Sequence, residues 1–242
     1  MIKLGYSTGG KKNISLKTRI KKILEIENHA LEVNFIREER LKEKIDRETL
    51  DLIKKFKYIS FHAPALEVFY PSKKTEWIIE ELKQIIPVIR PDVLVFHPDN
   101  VKDFNWLNKQ FGKLLAFENM DSRKKFGKTI KDLTQVFKKS PQAKFVFDIN
   151  HLYTVNPKLD LADKFYITFK KRLCHYHLSA YGGWHTCFCL EDEDFLLKAI
   201  TDFSKPIIHE GGVVDKNLLL KENTYVLSRL VSNFHTLGSV RH

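Results

Sequence analysis

A single closed (β/α)8 barrel, the TIM-barrel architecture, is the fold the sequence predicts, and three observations predict it. Short apolar runs rich in Ile, Val and Phe alternate with longer amphipathic stretches almost from end to end, which is the rhythm of βα units around a parallel sheet. Eight such runs can be counted, the number that closes a barrel of this kind. No Pro/Ser-rich linker and no shift of composition divides the 242 residues, a length that α/β barrels reach as one domain.

In chain order, the first strand is expected at 2–6 (IKLGY), followed by the helical pattern of KKNISLKTRIKKILEIE. The second and third strands fall at 31–35 (LEVNF) and 58–62 (YISFH), and a helix follows at 75–89 (TEWIIEELKQIIPVI). Strands at 93–97 (VLVFH) and 114–118 (LLAFE) lead to a helix at 129–139 (TIKDLTQVFKK). The strand at 144–148 (KFVFD), the helix at 161–171 and the strand at 173–178 (LCHYHL) continue the alternation. A helix at 194–200 (DFLLKAI) and a last strand at 206–210 (PIIHE) complete it. A doubly wound open sheet is the rival fold, but its usual GxGxxG first turn is replaced here by STGGKK. The barrel is expected to span 1–235, with 236–242 as a frayed tail.

Composition narrows the function. With 43% hydrophobic residues the chain can bury a large core and is not of the disordered class. The first residues lack the apolar core of a signal peptide, and no run of about 18 apolar residues is available to cross a membrane. Three cysteines, Cys174, Cys187 and Cys189, form no disulfide framework and fit a reducing, cytoplasmic setting. The net charge of +11 would draw phosphate-bearing partners, although most lysines lie in helical patterns whose solvated faces explain them equally well.

The chemistry is concentrated where the strands end. His62, His97, Glu118, Asp148, His177 and Glu210 close the third to eighth strands in turn, at steps of 35, 21, 30, 29 and 33 residues, each about one βα unit. In a parallel barrel the C-terminal strand ends converge on one rim. Carboxylates and imidazoles gathered there would repel or stay unpaired unless something bound them, and a divalent cation does so directly. A lone histidine after an apolar run is more often a satisfied core residue, but six accidents at βα spacing are less plausible than one shared site. His151, three residues after Asp148, and His185, after the loop AYGGW, reach the same rim. His175 faces the same way as His177, one layer deeper, whereas His209 points outward and reads as structural. The isolated C-x-C of Cys187 and Cys189 reads as packing.

This order of residues resembles the xylose-isomerase-like barrel superfamily, which includes endonuclease IV and the sugar phosphate isomerases and epimerases. The resemblance runs over essentially the whole chain, and LGYSTGG is similar to the first-strand segment of endonuclease IV. For that enzyme the resemblance implies two or three zinc ions: His62, His97 and Glu118 on one, Glu118, Asp148, His177 and Glu210 on a second, and His151 with His185 on a third. The Asp that the family places two residues before the loop histidine is Gly183 here. For the sugar isomerase branch the resemblance implies a single Mn, Mg or Co ion on Glu118, Asp148, His177 and Glu210, with Glu118 and Glu210 as the catalytic acid/base pair. His62 and His97 would then bind hydroxyls. An Arg that this branch often carries soon after the strand-seven His is absent from HLSAYGGWHTCF.

The reading favoured on sequence is phosphoester hydrolysis, at abasic sites in DNA, since paired divalent ions activate water and clamp an in-line displacement. Basic residues expected in the loops after strands one, three and five (Lys11, Lys12, Lys73, Lys74, Arg123, Lys124, Lys125 and Lys128) could meet phosphates. Tyr70 and Trp184 could stack on a base or sugar. The alternative is isomerisation or epimerisation of a small sugar or sugar phosphate.

Overall fold

A computed structural model describes residues 2–9, 14–43, 45–65, 67–181, 185–191, 193–211 and 215–239. Eight parallel strands close into a barrel in sequential order: β1 (Leu4–Ser7), β2 (Ala30–Asn34), β3 (Tyr58–His62), β4 (Val93–Phe96), β5 (Leu115–Glu118), β6 (Lys144–Asp148), β7 (Leu173–Leu178) and β8 (Ile207–His209). β1 pairs with both β2 and β8, which removes any sheet edge. The helices α1 (Leu16–Leu24), α2 (Arg47–Ile53), α3 (Lys73–Ile89), α4 (Phe104–Phe111) and α5 (Ile130–Lys139) follow the first five strands. Two short helices, α6 (Ile149–Val155) and α7 (Ala162–Phe169), separate β6 from β7, and α8 (Lys216–Ser239) ends the described chain. Among the described residues no helix is long and apolar enough to cross a membrane.

Local chemistry explains most helix starts. Ser15, Asp46, Ser72 and Asp103 each accept the backbone N–H three residues on, and Thr129 with Asp132 forms a reciprocal capping box. The helix expected at 194–200 is instead a 3-10 segment, Asp194–Ala199, whose preceding residue Glu193 offers no side-chain cap. α8 runs on through the boundary expected at 235.

Alternation along the strands sorts the side chains. Phe61, Phe96, Phe117, Phe145, Phe147 and Tyr176 join the main core under the helices, where each fully buried ring contributes roughly 2–3 kcal/mol. On the inner face Val93, Val95, Ala116 and Val146 form a small apolar plug. Above that plug the interior turns polar, with Glu32, Ser60, His62, Glu118, Asp148, His175 and His177 all buried. The register between β6 and β7 shifts after Phe145, so that Val146 pairs with His175 and Asp148 with His177.

Outside the barrel, His209 packs against Tyr6 with ring centroids 5.6 Å apart, and its Nε2 lies 2.7 Å from Glu222 of α8. Glu222 also accepts the backbone N–H groups of Phe188 and Cys189, both at 2.8 Å, and so ties α8 to the β7–β8 connection. This is the outward, structural placement expected for His209. The three cysteines are free.

Two stability predictions follow from this packing. A methyl group on Gly5 would overlap the Ala30 carbonyl in the neighbouring strand, so Gly5→Ala should cost about 3 kcal/mol in urea unfolding; an unchanged midpoint would show that β1 can shift. Burial would raise the Glu222 carboxyl, but the hydrogen bond and charge of His209 outweigh it and hold it below the ordinary value of 4.5. Glu222 therefore stabilises the fold above about pH 4.5, and the contribution fades as pH falls through its depressed folded value. Glu222→Gln should lose about 2 kcal/mol at pH 7, and its deficit against wild type should shrink below about pH 4.5.

Candidate metal centre

Glu118 stands at the centre of the barrel mouth, 1% exposed. Its Oε2 lies 3.6 Å from Nε2 of both His62 and His97. Its Oε1 lies 2.9 Å from His151 Nδ1 and 3.5 Å from His177 Nδ1. Glu210 Oε2 is 3.5 Å from the same His177 nitrogen and 3.7 Å from His185 Nδ1. Neither Glu118 oxygen has a hydrogen bond, nor do Asp148 Oδ2, His177 Nδ1 or His97 Nδ1. Buried polar atoms are rarely left so. Here four of these five belong to Glu118, Asp148 and His177, which with Glu210 offer ligand atoms all within 4.8 Å of one another.

The local backbone explains how these groups are held. Asp148 ends β6 and caps α6, its Oδ1 accepting the His151 N–H at 2.7 Å; Oδ2 is left to the centre, and His151 is swung into the first helical turn beside Glu118. The Asn119 side chain bridges to the Asp148 backbone at both N–H and C=O, each at 2.8 Å, locking the ends of β5 and β6 together. His62 Nδ1 donates to the Ala63 carbonyl at 2.8 Å, which leaves its Nε2 lone pair facing the Glu118 carboxylate. Two lone-pair bearers 3.6 Å apart need a proton or a cation between them.

The charge balance makes the same point. Burial would raise Glu118, but His177 and His151 outweigh it and hold its carboxyl well below the usual range. Burial, reinforced by Glu118 and Glu210, pushes Asp148 well above its usual value against the pull of His151. Burial likewise pushes Glu210 up. Burial would lower His151, yet Asp148 and Glu118 carry it up to about 10, while burial and the nearby His151 take His185 down to about 3. Without a cation, then, protons must be distributed over this cluster to balance its carboxylates. A divalent ion fits the same donor set of three carboxylates and one imidazole.

The eight residues expected as ligands all come to this mouth, but not equally. Glu118, Asp148, His177 and Glu210 form one convergent group and His62, His97 and Glu118 another. His151 and His185, expected to share a peripheral ion, approach with ring centroids 5.7 Å apart; His151 leans on Glu118, and His185 exchanges a 2.9 Å hydrogen bond with Ser179. Gly183 and Trp184 lie outside the described residues, as do Lys11 and Lys12.

Three of the basic residues are engaged with carboxylates. Arg123 grips Asp121 through Nε and a terminal nitrogen at 2.9 and 3.0 Å. Lys124 pairs with Asp99 at 2.9 Å. Lys73 and Lys74, expected in a loop, open α3 instead, with Lys74 held by Glu67 and Glu38. Lys125 is exposed on the loop after β5, and Tyr70, 43% exposed on the loop after β3, has the Lys102 ammonium 5.3 Å from its ring centre.

Two carboxylates escaped the sequence reading. Glu32 is 0% exposed in the middle of β2, 2.9 Å from His177 Nε2. Asp121 is 2% exposed and 4.0 Å from His151 Nε2. The signal for Glu32 was present, since a carboxylate at the centre of the apolar run LEVNF is rarely buried without partners, but it stands inside its strand and not at the end.

No protein-family model matches the sequence, and no curated protein matches it. The fold has clear counterparts among solved structures. An L-ribulose 3-epimerase aligns over 100% of this chain and 99% of its own, with a TM-score of 0.70 and 11% identity. A 3-keto-D-glucoside 4-epimerase from E. coli covers 94% of this chain and 100% of its own, with a TM-score of 0.64 and 10% identity. A putative xylose isomerase from Rhodospirillum rubrum covers 96% and 99%, with a TM-score of 0.60 and 13% identity. At such identities the likeness is one of fold, and the fold of this chain is that of the xylose isomerase-like TIM barrels.

Proposed function

We propose that this chain is a divalent-metal-dependent isomerase or epimerase of a small sugar, in place of the phosphoester hydrolase favoured on sequence. The observation that carries the reading is the convergence of Glu118, Asp148, His177 and Glu210, with unsatisfied atoms on three of the four. Two epimerases among the structures of the same fold support it. So does the rim, where Arg123, Lys124 and Lys74 are already paired with carboxylates and a phosphate backbone would have to displace those partners.

A divalent ion on these four residues would supply Lewis acidity, stabilising negative charge on the oxygens of a ketose or its enediolate. The chain's own groups do the rest. Glu118 and Glu210 come from strands well apart in the barrel order, so one carboxylate can remove the proton beside the carbonyl while the other carboxyl returns one. The C–H bond electrons pass to the carbonyl oxygen in the first transfer and return to carbon in the second, with no net redox change. His62, oriented by its Nδ1 bond to the Ala63 carbonyl, can meet a sugar hydroxyl through Nε2. His97 lies beside it with ring centroids 5.0 Å apart.

The second convergent group, His62, His97 and Glu118, is the specific observation that favours the hydrolase as second reading. Metal content separates the two. Protein purified without chelator should carry one exchangeable divalent ion per chain, and two zinc ions together with incision of an abasic-site duplex would establish the hydrolase instead. Removing the ion with chelator should lower thermal stability, restored by about 2.7 kcal/mol at a hundredfold excess of Mn2+ over its dissociation constant. With a panel of ketoses in D2O, wild type should incorporate deuterium beside the carbonyl and interconvert epimers. Glu118→Gln and Glu210→Gln should each lower kcat by about 10²- to 10⁴-fold. If wild type exchanges no deuterium with any ketose, the isomerase reading fails.

A further inference from the structure

We propose that Glu32 is a positioning residue for the metal centre: it fixes the His177 ring with its hydrogen on Nε2, so that Nδ1 presents a lone pair to the cation. The inference rests on the reading above, in which Glu118, Asp148, His177 and Glu210 hold a divalent ion.

The hydrogen bonds inside the barrel assign the protons. Glu32 is wholly buried on β2. Its Oε1 accepts from Ser7 Oγ at 3.2 Å and from Asn34 Nδ2 at 3.5 Å, and its Oε2 accepts from Ser60 Oγ at 2.9 Å. A carboxyl group supplied with three donors is held in its ionised form, and an ionised carboxylate can only accept. The remaining neighbour, His177 Nε2 at 2.9 Å, must therefore carry the hydrogen. His175 Nε2 lies 3.1 Å from that same nitrogen and so shares the hydrogen as a second acceptor. The hydrogen of His175 is then on Nδ1, 2.8 Å from the Tyr58 hydroxyl. The chain of contacts from Tyr58 to Glu32 thus closes with every nitrogen accounted for, without an ion among Glu32, His175 and His177.

At the far side of the ring the outcome is different. His177 Nδ1 has no hydrogen bond and faces Glu118 Oε1 and Glu210 Oε2 at 3.5 Å each. A carboxylate behind the distal nitrogen of a metal-bound imidazole fixes its tautomer and raises its basicity. Glu32 does so from β2, a strand that contributes none of the four ligands, and Ser7 and Ser60 hold it from the strands on either side.

Mn2+ titration followed by electron paramagnetic resonance tests this on wild type, Glu32→Gln and Asp148→Asn, with circular dichroism as the control for folding. Wild type should bind one ion, Asp148→Asn should lose it, and Glu32→Gln should bind it 10- to 100-fold more weakly. Equal affinity in wild type and Glu32→Gln, with Asp148→Asn impaired, overturns the role of Glu32 alone. Failure of wild type to bind, or unimpaired binding by Asp148→Asn, overturns the metal reading and the inference with it. Two ions in wild type and one in Glu32→Gln would make Glu32 a ligand and overturn its positioning role. A second measurement does not depend on any variant folding. In 15N-histidine-labelled, Mg2+-loaded wild type, the His177 hydrogen should be found on Nε2, and its presence on Nδ1 would overturn the proposal.

Discussion

Glu118 is a buried carboxylate met only by imidazoles, and the mouth of the barrel is arranged around its charge. Moving a carboxylate out of water is costly unless an opposite charge receives it. Four imidazoles, from His62, His97, His151 and His177, stand 2.9–3.6 Å from its two oxygens. Imidazole neutralises a carboxylate only by holding a proton, whereas a divalent ion could serve Glu118, Asp148 and Glu210 together. The same constraint accounts for the low set of Glu118 beside the high set of Asp148 and Glu210: in the absence of a cation, three neighbouring carboxylates cannot all stay charged.

Beneath that centre the barrel interior is a graded column. The apolar plug of Val93, Val95, Ala116 and Val146 fills its base, and a hydrogen-bonded layer of Tyr58, His175, Glu32 and Ser60 fills its middle. Rigidity in this middle layer gives the centre above it a fixed geometry, because every polar group there is partnered by another on a different strand. The register shift after Phe145 is part of that arrangement. By setting Asp148 beside His177, it puts two inward side chains in the same layer; an unshifted ladder would set Asp148 beside Tyr176.

On the outer rim, charge is spent locally. Three of the basic residues that suggested a phosphate-binding face are paired with acidic partners: Lys74 with Glu38 and Glu67, Lys124 with Asp99, and Arg123 with Asp121. The net charge of +11 belongs to the whole chain and carries no record of this local pairing.

The sequence by itself determined the eight strands, within a residue or two at each end, and the convergence of six strand-end ligand candidates on one rim. Both rest on short-range periodicity: alternation along a strand and a repeat of about thirty residues place side chains on a parallel barrel whatever the details of packing. His209 was legible as outward-facing for the same reason of parity. Only the tertiary structure decided the rest. Glu32 was invisible as a partner of His177 because they are 145 residues apart and no local pattern links mid-strand positions across a barrel. The pairing of Lys124 with Asp99 crosses two loops, 25 residues apart, and no local pattern shows it either. The short segment at 194–200 carries helical residues, yet seven residues without a cap cannot hold an α-helix by themselves, and the packed structure leaves it as 3-10. Local periodicity fixes which way a side chain points, while what it meets there depends on register and closure, and those exist only once the barrel has formed.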